Sequence, residues 1–126
     1  MTRTIETDDA PAAVATYSQG ATDGNLVFTA GQVPLTPDGE LLETESMAVQ
    51  TKQALSNIEA ILAAEGAAPS DILKTTVYLV DMDEYEQMEE AYADWFEGLS
   101  PARTVVEVGR LAVDAAIEIE AIAVSG

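Results

Sequence analysis

The chain has no cysteine and no histidine among its 126 residues, and five lysines and arginines stand against 23 acids. The first two absences exclude a disulfide, a thiol nucleophile, a Cys/His zinc site, a Ser-His-Asp triad and a histidine base. The shortage of bases leaves a formal net charge of −18. That excludes the Lys/Arg clusters which neutralise nucleic-acid phosphates or dock on an anionic membrane, so neither is an expected partner. No apolar run approaches the roughly 18 residues of a membrane span, and the segment from Met1 to Asp9 lacks the pattern of a secretory signal. A soluble cytoplasmic protein is expected.

What is there suffices for a core: 48% of the residues are hydrophobic, and a chain of this length buries well over half of its unfolded surface. No linker, repeat or low-complexity segment interrupts it, so residues 1–126 read as one domain. Eight acids fall between Asp81 and Glu97 with no base among them. Glu86, Glu90 and Asp94 follow at i, i+4 spacing, where each like-charge pair costs a few tenths of a kcal/mol in dilute buffer. Molar salt shortens the Debye length to about 3 Å and removes most of that cost. With Lys52 and Lys74 as the two lysines, this pattern suggests adaptation to a salty cytoplasm.

Residues 25–30 form a short β-prone run, followed by Gly31-Gln32 and Val33-Pro34-Leu35, and Thr36-Pro37-Asp38-Gly39 has the order of a β-turn. Thr44 or Ser46 can cap a helix to about Ala64, with Met47, Ala54, Leu55, Ile58, Ile61 and Leu62 on its apolar face and Gly66 ending it. Residues 72–80 are β-branched and aromatic enough for a central strand. Asp83 and Glu86 read as a capping box for a second helix, with Tyr85, Met88, Tyr92, Trp95 and Phe96 on one side and its stop near Gly98. Strands are predicted at Thr104–Val108 and Ile117–Val124. The order β-β-α-β-α-β-β makes an α+β sandwich with two helices on one face of a sheet. The other face is then left wet unless subunits pair through it, so an oligomer is expected.

Few side chains remain for chemistry. Arg103 stands out among the bases because Pro101-Ala102 delivers it to the start of a strand. There its permanently charged, planar fork can lie at a sheet edge and match a carboxylate; a surface ion pair is the competing reading. Period two along the last strand puts Glu118 and Glu120 on one face with Ile122 and Val124, opposite Ile117, Ile119, Ala121 and Ala123. A half-buried carboxylate there could have a raised pKa and transfer protons, or it could protect an edge strand. Gly31 before Gln32 suggests close backbone approach at a strand end. Tyr17, Tyr78, Tyr92 and Trp95 read first as packing residues with hydrogen-bonded polar tips.

Taken in order, Ala10-Pro11-Ala12-Ala13, Tyr17-Ser18-Gln19-Gly20, Gly31-Gln32-Val33-Pro34, Asn57-Ile58, residues 71–78, Pro101-Ala102-Arg103-Thr104 and residues 117–123 closely resemble the RidA (YjgF) family of reactive-intermediate deaminases over almost the whole chain. The resemblance implies a chorismate-mutase-like fold assembled as a homotrimer with intersubunit clefts. The implied reaction is hydrolysis of small anionic enamines and imines, such as 2-aminoacrylate and 2-iminopropanoate, to a 2-oxo acid and ammonia. It also implies roles: Arg103 binds the substrate carboxylate, Glu118 positions water or shuttles its proton, Tyr17 lines the cleft, and the backbone near Gly31 and Val105 completes it. An imine is already electrophilic, so orientation and proton transfer suffice, and neither metal nor cofactor is expected.

The sequence departs from the family pattern at four places. Ala30 stands where a serine is frequent and Val105 where a cysteine or hydroxyl residue is frequent. Glu89 falls where a cleft-facing asparagine is common, and Ala112 where proline usually follows leucine. Ala30 and Glu89 favour an alternative in which the same intersubunit cleft serves a non-catalytic module that binds 2-oxo acids or has a regulatory role.

Overall fold

The structure is a computed structural model and describes residues 2–126. Eight principal elements are present: β1 (Arg3–Ile5), β2 (Gly20–Thr22), β3 (Leu26–Thr29), α1 (Met47–Ala63), β4 (Ile72–Leu79), α2 (Tyr85–Phe96), β5 (Ala102–Glu107) and β6 (Ile117–Val124). The strands form one six-stranded sheet in the order β1-β2-β3-β6-β4-β5. Its neighbours are antiparallel except for β4 and β5, which run parallel and are joined across α2. The mixed sheet with two helices on one face is the expected α+β architecture.

Local chemistry explains most boundaries. Ser46 is extended and its hydroxyl accepts a bond from the Val49 N–H, so Ser46, not Thr44, caps α1. The six apolar positions predicted for that helix, Met47, Ala54, Leu55, Ile58, Ile61 and Leu62, are all buried. They pack with Val77, Leu79, Ile117, Ile119, Ala121 and Ala123 of the sheet and with Met88 and Phe96 of α2. Each fully buried aliphatic or phenyl side chain contributes roughly 1.5–3 kcal/mol relative to exposure. Past the helix, Gly66 takes φ +71°, and the Ala67 N–H returns to the Leu62 carbonyl.

Two expectations are corrected. The segment 33–35 is no strand: Asn57, buried on α1, donates to the carbonyls of Val33 and Leu35, drawing the chain onto the helix. Its place in the sheet is taken by β1 and β2, too short for a sequence pattern to reveal. The Asp83/Glu86 capping box is absent. A short 3₁₀ turn over Met82–Glu84 comes first, with the Asp81 carboxylate accepting from the Asp83 N–H, and α2 starts behind it with no side-chain cap.

The face of the sheet away from the helices carries Lys74, Thr76 and Tyr78 of β4 beside Glu118, Glu120 and Ile122 of β6, all half-buried. No helix among the described residues is long and apolar enough to cross a membrane.

Candidate functional site

Glu118 owes its position to an irregular junction. β3 pairs with β6 in the register Leu26↔Val124 to Phe28↔Ile122, and the next pairing is Gln32↔Ile119. From 28 to 32 is four residues and from 122 to 119 is three, so one extra residue is accommodated at 29–31. Thr29 compensates by accepting the Ala121 N–H through its hydroxyl at 3.0 Å. Gln32 and Ile119 exchange both backbone bonds, at 2.7 and 2.9 Å, and this holds Gly31 against Glu118. A β-carbon on Gly31 would stand 2.1 Å from Glu118 Oε2 and 2.6 Å from its carboxyl carbon. Glycine is required by that approach.

Glu118 lies in the wall of a cavity of about 500 Å³ shared with Tyr17, Ala30, Gly31, Val14 and Val113. Val14 and Tyr17 are exposed at the rim. Val113 takes φ +53°, a conformation rare for a β-branched residue. Burial pushes the Glu118 carboxyl above its ordinary range, and the neighbouring Glu120 charge adds to this.

Arg103 occupies a different place. It is the second residue of β5, the edge strand, and pairs in register with Thr75. Thr75 is buried under α2, its hydroxyl bonded to that of Tyr92 at 2.7 Å. Arg103 therefore also faces α2. One terminal nitrogen, Nη1, donates to Glu89; the other, Nη2, donates to the Tyr85 hydroxyl at 2.9 Å. The guanidinium carbon lies 4.6 Å from the centre of the Tyr92 ring, a cation–π distance. Burial works against the charge, but the bond and charge of Glu89 outweigh it and hold the guanidinium above its ordinary pKa. A hollow of about 340 Å³, lined by Glu89, Tyr92, Leu99, Ser100, Pro101 and Arg103, opens beside it.

The candidate residues therefore fall into two groups within one protomer. Tyr17, Gly31 and Glu118 share the first cavity; Glu89 and Arg103 share the second hollow. Val105 lies two residues beyond Arg103 on the same side of β5, packed against the core. Glu118 pairs in register with Tyr78, three residues from Thr75 along β4, so it points to the face opposite Arg103. The first group can orient a water or move a proton, and the second can grip a carboxylate. Among the described residues, no group of three Asp or Glu side chains forms a metal-holding cluster.

Sequence reasoning missed the supports. Tyr85 and Tyr92 set the orientation of the guanidinium, and their signal, two tyrosines on the predicted face of α2, was readable only as packing. Gln19 is buried, donating to the carbonyls of Thr7, Ala10 and Pro11 and accepting from the Thr7 N–H, which fixes the loop below Tyr17.

Comparisons with known proteins find relatives and the same fold over almost the whole chain. A family model described as Endoribonuclease L-PSP matches residues 7–125. A RutC family protein of Pyrococcus horikoshii is 47% identical over 124 residues, 98% of this chain and 98% of that protein. The 2-iminobutanoate/2-iminopropanoate deaminase of Escherichia coli strain K12 is 43% identical over 128 residues, again 98% of both. The crystal structure of E. coli TdcF with bound serine matches with a TM-score of 0.91 at 38% identity, over 98% of this chain and 99% of that one.

Proposed function

The chain belongs to the endoribonuclease L-PSP family, the RidA (YjgF) family whose motifs it carries, and from that premise we propose that it hydrolyses small anionic enamines and imines to 2-oxo acids and ammonia. In this reading the protein is a cytoplasmic homotrimer in which the Arg103 half of one protomer meets the Glu118 half of the next. The observation that carries it is that the Arg103 guanidinium and the Glu118 carboxyl lie on opposite faces of one sheet, so that on this reading each needs a second copy to complete it.

The residues suffice for the chemistry. Arg103 pairs with the carboxylate of 2-iminopropanoate and fixes the imine carbon. Glu118, half-buried and with its pKa raised, takes a proton from the water that attacks this carbon and returns one to the nitrogen, so that the tetrahedral adduct breaks to pyruvate and ammonia. The enamine 2-aminoacrylate enters as its imine tautomer. RNA is not the substrate proposed here, despite the word in the family's description, because a −18 chain with five bases offers phosphates no basic surface. The same acidic surplus supports a salty cytoplasm, where screening also lets an anionic substrate approach.

The test is turnover. 2-Aminoacrylate generated in molar KCl should release pyruvate faster with the protein than in buffer alone, and equal rates would overturn the reading. Ala30, which brings no hydroxyl to the Glu118 cavity, favours the second reading, a binding module for 2-oxo acids. That module would bind pyruvate and leave the buffer rate unchanged. Gly31→Ala gives a sharper check. Its β-carbon meets the far end of a side chain, not backbone, so the melting temperature should stay near that of the parent while the Glu118 carboxyl is displaced. Misplacement of about 1 Å can cost roughly 100-fold in rate, and a loss of that order is expected in the pyruvate assay.

A further inference from the structure

We propose that Glu89 is a specificity-determining residue, a resident carboxylate on the Arg103 fork that selects ligands carrying a cationic or N–H-bearing nitrogen beside their carboxylate over plain carboxylates. The inference rests on the reading of Arg103 as the carboxylate grip.

Both terminal nitrogens of Arg103 are engaged, Nη1 by Glu89 and Nη2 by Tyr85. Tyr92 covers a face of the same group. The two hydrogen bonds use two of the guanidinium's five N–H donors, so a ligand carboxylate that binds it either shares the charge with the resident Glu89 or displaces it. Of the two side chains in the ion pair, Arg103 is the more enclosed, 20% exposed against 44% for Glu89. The stacked guanidinium stays, and the carboxylate on the solvent side of α2 is the group that yields. Glu89 also lines the hollow beside Arg103, so once displaced it remains a neighbour of whatever the fork holds.

The consequence follows from charge. The Arg103–Glu89 pair is neutral in sum, so a mono-anion such as pyruvate exchanges one carboxylate for another and leaves Glu89 facing it unpaired. A zwitterion makes the same bond to Arg103 and offers its nitrogen to the displaced Glu89. A protonated 2-imino acid is such a zwitterion, and the 2-oxo acid released from it is not. Glu89 therefore favours the substrate over the product.

The test compares two stable probes that differ at one position, pyruvate and L-alanine, by calorimetric titration of the parent protein and Glu89→Gln, with Arg103→Ala as reference. Glutamine keeps size and shape and removes the charge. Glu89→Gln should bind pyruvate more tightly and lower the ratio of the pyruvate Kd to the alanine Kd by about tenfold in 0.1 M KCl, the scale of one partly exposed charge pair gained and one lost. The change should shrink in 2 M KCl, which a purely structural role of Glu89 would not produce. An unchanged or higher ratio, with pyruvate binding still abolished by Arg103→Ala, overturns the inference and leaves the proposed function standing. Failure of both probes to bind the parent protein and Glu89→Gln overturns the inference together with the carboxylate-grip reading.

Discussion

Arg103→Ala is expected to lower kcat/KM for 2-iminopropanoate by roughly 10²- to 10⁴-fold, since two charge-assisted hydrogen bonds are worth about 1.5–3 kcal/mol each and 1.4 kcal/mol is tenfold. The loss has a second source in the structure. Without the guanidinium, Glu89 keeps its charge beside the hollow and repels the substrate carboxylate that Arg103 had drawn in. Arg103→Lys separates charge from shape. An ammonium retains the positive charge but can neither span Glu89 and Tyr85 nor present a planar fork over Tyr92. A deficit of about tenfold or more is expected for it. Initial rates of pyruvate formation decide both cases; a lysine variant with parental kinetics would show that a point charge is all the site requires.

Glu118→Gln should cost roughly 10²- to 10⁴-fold in kcat, the usual share of general acid–base catalysis, while making the folded chain more resistant to heat at neutral pH. The second effect follows from the raised pKa. Burial and the Glu120 charge disfavour the ionised carboxyl in the folded chain, so its folded pKa lies above the ordinary 4.5. The folded state then holds the proton more tightly than the unfolded state. The resulting penalty is absent below the unfolded value, grows as pH rises through the folded one, and is constant above it. Glutamine titrates nowhere in that range. The melting-temperature difference between Glu118→Gln and the parent should therefore widen as pH is raised from 4 towards neutrality. Retained kcat would remove Glu118 from the mechanism, and a difference that ignores pH would remove the burial penalty.

Much of the scaffold could be read before any coordinates. The face of α1 follows from the spacing of Met47, Ala54, Leu55, Ile58, Ile61 and Leu62, because a seventeen-residue helix gives period 3.6 room to show. β6 follows from the Ile-Glu-Ile-Glu alternation at 117–120 and the apolar, β-prone residues after it, and its burial alternates on to residue 123. β1 and β2, at three residues each, hold too few positions for a period. The start of α2 was misplaced because Asp81, two residues before Asp83, took the capping role for a 3₁₀ turn. At the site, five bases and the Pro101-Ala102 lead-in were enough to make Arg103 a candidate, but a surface ion pair stayed open until the family resemblance assigned it a carboxylate. Its partners were beyond reach of such reasoning: Glu89 and Tyr85 lie 14 and 18 residues earlier on another element. Which face of β5 carries Arg103 depends on its parallel register with β4, set by the crossover through α2, and that register leaves no trace in either strand alone.

The separation of Arg103 from Glu118 by the thickness of the sheet has a consequence for how such a protein works in a cell. On the proposed reading, a solitary polypeptide is inert however well it folds, because it owns two unfinished halves that cannot reach each other. Turnover then belongs to the population: below the concentration at which copies associate, the catalyst ceases to exist while every chain remains intact. Residues that weld copies together would be as indispensable to the reaction as those that touch the imine.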